Sequence, residues 1–197
     1  MNVGPSAGVA QARERRHLVG GLFVAVERRG PAALTEEDVI AAAGPAGGAF
    51  HEHFRDLDEC FDFACEAALD ILLGPMVAAW SVPRRRPERL GAALAALLGA
   101  LAAQRRLAEL CLLHSPVRQG DRRTYERVVD SLAELLVDVR RPLAAPEAPS
   151  AAGEQLLARG AVGLIAARLR EGGADLEELR PRLLALLLPA LELDATD

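Results

Sequence analysis

The sequence lacks lysine altogether: its 23 basic residues are all arginine, set against 28 acids for a formal charge of −5. A coding bias accounts for that substitution of one cation by the other. Aromatic residues make up only 4% of the chain, and β-branched residues are sparse among the alanines and leucines. Those propensities favour helix and leave no strand of consequence to expect. Cysteine is limited to Cys60, Cys65 and Cys111, with no C-x-x-C pair. An odd count without a secretory leader predicts reduced thiols and excludes a disulfide framework. No apolar run approaches the roughly 18 residues of a membrane span; the most apolar stretch, 183–188, is far shorter. The expectation is a soluble cytoplasmic protein with no membrane partner. A Gly-rich phosphate loop, G-x-S-x-G and H-E-x-x-H are also missing, so no enzymatic activity and no cofactor are expected.

What the chain does contain is helical periodicity. With 197 residues and 51% hydrophobic content, it can fold as one domain or as a small head on a larger body. Leu18, Leu22 and Val26 mark a first helix over 11–29, after a loose N-terminal arm, and Gly30 and Pro31 stop it. Thr35, followed by Glu36, Glu37 and Asp38, predicts an N-cap and an acidic first turn for a short second helix that ends at Gly44. A third short helix ends near Phe54, with Phe50 one turn earlier on the same face. A long helix followed by two short ones around a Gly-containing turn is the pattern of a helix-turn-helix unit. Residues 57–72 continue as a longer helix, which Gly74 and Pro75 are expected to break. Arg84, Arg85 and Arg86 lie in a solvated Pro-flanked loop over 81–87. Amphipathic helices follow from Leu90, from Arg106 and from Tyr125, then a Pro/Ala linker over 142–150 and two strongly apolar helices, 153–171 and 176–191.

The stretch LTEEDVIAAAGPAGGAFHEHF, residues 34–54, with the following DLDECF, resembles the head of the TetR family of bacterial one-component regulators. Helix order and lengths are similar along nearly the whole chain, although only residues 34–61 are specific. The resemblance implies an all-α fold of about nine helices: a three-helix helix-turn-helix head over 1–56 and a helical-bundle body over 57–197, dimerising through the last two helices. It implies a regulator, most simply a repressor, that reads palindromic operator DNA as a homodimer and is released by a small hydrophobic or amphipathic ligand. The alternative is a dimeric module that binds small molecules or proteins and whose DNA binding is weakened or lost.

Carried over residue by residue, the family pattern places Arg13, Arg15 and Arg16 against phosphates. Thr35 would offer its hydroxyl and helix N-terminus to a phosphate, Gly47, Gly48 and Ala49 would face bases, and His51 and His53 would lie at or near the DNA backbone. Several residues depart from that pattern. Ala46 stands where Ser or Thr usually opens the recognition helix, removing a cap typically worth about 1 kcal/mol. Gly47 and Gly48 each weaken the helix by up to about 1 kcal/mol relative to Ala. His51 and Leu57 replace two usual phosphate contacts. Residues 1–60 carry six arginines and nine acids, so the head is formally acidic, which lowers nonspecific DNA affinity.

For the body, Phe61, Cys65, Met76, Trp80, Leu98, Cys111, His114, Tyr125 and Val128 supply the mixture of apolar and polar-tipped groups that a ligand pocket requires; core filling is the competing role for each. Cys111 and His114, three apart, have the spacing of two metal ligands but no accompanying second pair, so no metal is expected. The final helices are apolar nearly all round, and a partner copy would cover them. Gly160, Gly163, Leu164, Ala167, Leu183, Leu184 and Leu187 are the expected interface.

Overall fold

The computed structural model describes residues 6–45, 50–114, 123–140, 151–172 and 175–190. Nine α-helices and no strand occur among them. In chain order they are α1 (Ser6–Arg29), α2 (Glu36–Ala43), α3 (Phe50–His53), α4 (Leu57–Ser81), α5 (Arg86–Ala103), α6 (Arg105–Glu109), α7 (Arg123–Arg140), α8 (Ala151–Arg170) and α9 (Arg180–Ala190). The first three pack into a head. The rest form the body, where α4 lies against α5 and α7, α7 against α8, and α9 against α5 and α8.

Helix α1 begins at Ser6, earlier than the expected 11, because Ala7, Ala10 and Ala12 are strong helix formers that extend it into the arm. It ends at Gly30, whose φ of +77° suits only glycine at low cost. The cap of α2 is as the sequence predicts, with Thr35 accepting from the Asp38 N–H and the Asp38 carboxylate accepting from the Thr35 N–H. Gly44 closes α2 at φ +64°, its N–H donating to the Ile40 carbonyl.

The expected break at Gly74 and Pro75 does not occur: α4 runs unbroken from Leu57 to Ser81 with Pro75 inside it. Pro75 lies on the exposed side, while Leu72, Met76 and Trp80 bury the other face at one-turn spacing. Burial of three large side chains, at about 1.5–3 kcal/mol each, offsets the backbone bond the proline removes. By length and composition α4 could also cross a membrane; here ten of its residues, Leu57 to Trp80, are buried inside the protein. Beyond α5 the chain turns into α6, and a π-helical turn, Leu110–His114, follows directly. A 3-10 turn, Glu177–Leu179, leads into α9.

Candidate functional site

Close packing sets the geometry of the head. A Cβ on Gly21 of α1 would come within 2.8 Å of the Ala43 backbone nitrogen and Cβ, so a bare glycine lets the end of α2 lie directly on α1. Phe50 and Phe54 are both buried, with ring centroids 5.7 Å apart. They seat α3 on the same core.

The nominated DNA contacts among the described residues divide into three groups. Arg13 and Arg16 are exposed, and the Arg16 Nε donates back to the Ala12 carbonyl at 3.2 Å. Thr35 and His51 are also exposed, but acids already engage them. The Thr35 hydroxyl donates to the Asp38 carboxylate at 3.0 Å, and His51 Nε2 lies 2.8 Å from Glu36. Arg15 and His53 face inward instead. The Arg15 guanidinium lies 4.8 Å from the Phe54 ring centre and 4.5 Å from that of Phe63, with Glu59 3.7 Å away. The His53 side chain is 3% exposed, its Nε2 3.0 Å from Glu14. Gly47, Gly48 and Ala49 lie outside the described residues.

Arg15 therefore bridges the first helix of the head, the end of α3 and the start of α4. A guanidinium between two ring faces is held by cation–π attraction, worth about 0.5–2 kcal/mol according to desolvation. Sequence reasoning missed Phe63, Glu59 and Glu14, because the contacts span tens of residues and no local spacing announces them. Asp56, by contrast, is a legible N-cap for α4, its carboxylate accepting from the Glu59 N–H at 2.9 Å. That hydrogen bond, with one from Arg55, holds its carboxyl below the ordinary range.

In the body, Phe61, Cys65, Met76, Trp80, Leu98, Cys111 and Val128 all belong to one buried cluster, and Tyr125 packs against it. The His114 side chain lies outside the described residues. The polar tip of Trp80 is already used: its indole N–H donates to Asp138 at 3.0 Å, and the Arg89 guanidinium lies 4.3 Å from its ring centre. All three cysteines are buried free thiols. Burial pushes the Cys60 thiol up to about 12. A hydrogen bond with Cys65, reinforced by burial, raises Cys111 well above the ordinary thiol range. Both groups are neutral and poorly nucleophilic. Among the described residues no cluster of three His, Cys, Asp or Glu side chains could hold a metal ion.

The nominated interface residues likewise sort by direction. Leu183 and Leu187 are fully buried in the protein's own core, because α9 lays that face on its neighbours. Leu184 lies on the flank toward α5. Gly160, Gly163, Leu164 and Ala167 share one stripe of α8, and Leu156, 72% exposed, extends it. A Cβ on Gly163 would meet nothing within 4 Å. Leu186 of α9 is also exposed, with its Cδ2 3.7 Å from the position of a Cβ on Gly160. Leu156 and Leu186 escaped the sequence reading, since a helix apolar all round does not reveal which face its own core covers.

No protein-family model matches the chain, and no curated protein sequence does. Solved structures do. The fatty acid degradation regulator FadR from Bacillus halodurans is similar at a TM-score of 0.69 and 16% identity, over 98% of this chain and 100% of that one. A protein from Syntrophomonas wolfei described as a TetR-family transcriptional regulator gives a TM-score of 0.71 at 13% identity, over 94% of this chain and 99% of that one. Another so described, from Mesorhizobium loti, gives 0.64 at 16%, over 92% and 96%. These neighbours are described as regulators, and their agreement covers nearly the whole chain. The chain has the fold of the TetR-type transcriptional regulators.

Proposed function

We propose that the chain is a one-component transcription regulator, most simply a repressor, that binds palindromic operator DNA as a homodimer and is released by a small hydrophobic or amphipathic ligand. The observation that supports this most is the head itself, in which the end of α2 is docked on α1 at Gly21, α3 is seated by Phe50 and Phe54, and only a few residues join α3 to the long helix α4. Residues 1–56 form the DNA-binding unit and 57–197 the sensing and dimerising unit. Arg13 and Arg16 are free to reach phosphates, and Gly47, Gly48 and Ala49 approach base edges. The similarity to a fatty acid degradation regulator supports an amphipathic ligand. Phe61, Cys65, Met76, Leu98, Cys111, His114, Tyr125 and Val128 surround it, with Trp80 at the edge. Ligand entry among the body helices tilts α4, and Arg15 carries that tilt to the head. Half-sites lie about one turn apart, roughly 34 Å, so a changed spacing of the two heads releases the operator.

The stripe of Leu156, Gly160, Gly163, Leu164 and Ala167 on α8, with Leu186 on α9, forms the dimer face. Sedimentation velocity on Leu156→Glu checks it: the expected result is a folded monomer, and an unchanged dimer would move the interface elsewhere.

A titration of the protein on its own upstream region at low salt, against scrambled duplex, tests the regulator reading. Selective binding that weakens with salt is expected. A second reading, a dimeric module that no longer reads DNA, is favoured by one specific observation: Asp38 and Glu36 already occupy the Thr35 hydroxyl and His51. Absence of selective binding at micromolar protein would establish that second reading.

A further inference from the structure

The body has a groove that the proposed function leaves unused. Its volume is about 760 Å³, and it opens outside the helical core, between the end of α4, the first half of α5 and the start of α9. Gly91, Ala92, Ala95 and Leu184 make an apolar floor, and Arg84 and Arg180 flank it. The volume falls within the range of about 300–1,000 Å³ typical of small-molecule sites.

Neither of the two flanking arginines is engaged in an ion pair among the described residues. Elsewhere in the body, Arg89, Arg105, Arg106, Arg127, Arg159 and Arg168 each have a carboxylate within 4.0 Å. Arg84 and Arg180 have none among the described residues, nor do Arg85, Arg86, Arg170 and Arg182, but of these only Arg84 and Arg180 line the groove. Glu88 also lines the groove and pairs with neither, so the lining keeps a net positive charge. Gly91 shapes the floor beneath them. The Arg180 Nη2 lies 3.8 Å from where a Cβ on Gly91 would sit, ordinary van der Waals contact, so the guanidinium lies against the floor.

Leu184 and Leu186 diverge by about 200° around a helix of 3.6 residues per turn. The groove and the exposed leucine face thus occupy opposite flanks of α9, and the groove stays open when that face is covered.

We propose that this groove binds a small amphipathic oxyanion, with its carboxylate or phosphate head on Arg84 and Arg180 and its apolar tail along Gly91, Ala92, Ala95 and Leu184. A guanidinium fork matches the planar oxygens of either head group, and a pair of forks shared by one concavity suits a single small anion. This site is separate from the buried cluster of the body and does not depend on DNA binding.

Amide NMR titrations of the full chain test it, with decanoate, decyl phosphate and decanol as probes. Saturable shifts at Gly91, Ala92 and Ala95 are expected with decanoate or decyl phosphate, and the tighter of the two identifies the head group. The double variant Arg84→Gln/Arg180→Gln should weaken that binding at least tenfold. Arg28→Gln/Arg170→Gln, which removes the same charge elsewhere, should leave it unchanged. All four side chains are exposed, so both variants retain the fold. The proposal is overturned if those amides show no saturable shift at millimolar probe, if the first double variant binds as the parent does, or if decanol binds equally well.

Discussion

Head and body are held together by different physics. The body is an aliphatic core, in which Leu90, Leu94, Leu97 and Leu98 of α5 interlock with α4, and its few polar groups work at the edge, as where Trp80 meets Arg89 and Asp138. The head contributes fewer residues to the same buried cluster, and charges and rings add to its junction with α4: Arg15 with Phe54, Phe63 and Glu59, and His53 with Glu14. Aliphatic burial is non-directional and not screened by salt, whereas a cation on two rings depends on geometry and responds to neighbouring charge. The contrast separates a body fixed by aliphatic packing from a head whose junction to α4 rests on a few directional contacts.

Deleting buried volume in the body sharpens the comparison most. Leu94→Ala should cost about 2–5 kcal/mol in urea unfolding, since Leu94 is fully buried and its neighbours cannot close the cavity. Next comes Gly21→Ala, which drives a methyl into the Ala43 backbone. It should destabilise by about 1–3 kcal/mol and loosen α2 from α1, seen as faster amide exchange confined to the head.

Arg15→Gln and Arg13→Gln break the comparison within one helix. Loss of the ring contacts of Arg15 should cost about 1 kcal/mol of stability and shift the resonances of Phe54 and Phe63. Arg13, exposed and with no ion-pair partner among the described residues, should leave stability within about 0.5 kcal/mol. If it contacts one phosphate, its removal should lower the salt slope of DNA binding by about one. Equal effects of the two substitutions would dissolve the distinction between a clamp and a phosphate contact.

The smallest expected signal is chemical. Raised thiol pKa values keep Cys60 and Cys111 protonated, so neither should react with a thiol reagent at pH 8 in the folded protein, and both should react in urea. Reaction rates should rise with pH as the approach to about 12 produces Cys60 thiolate. Rapid modification of the native protein at pH 8 would mean that the body opens far more readily than its packing allows.

Much of this arrangement was legible in the sequence, and the reasons for the rest are physical. The Thr35 cap, the Gly44 turn and the Phe50/Phe54 pair follow from local spacing, which is why they were readable. Pro75 misled because a proline on a helix's solvent side need not end it when the opposite face is buried. Arg15 read as a phosphate contact because the rings that hold it, Phe54 and Phe63, are far away in the chain. In α9, the division between core-facing Leu183 and Leu187 and exposed Leu186 depends on where α5 and α8 lie, and a run of leucines carries no record of that.

Selection of duplexes from a random pool by the full-length protein, followed by footprinting of the enriched sequence, tests the regulator reading most directly. The account predicts a palindrome with two protected half-sites about one helical turn apart, and footprints that fade with added salt. Failure of any sequence to enrich over the input pool would contradict it.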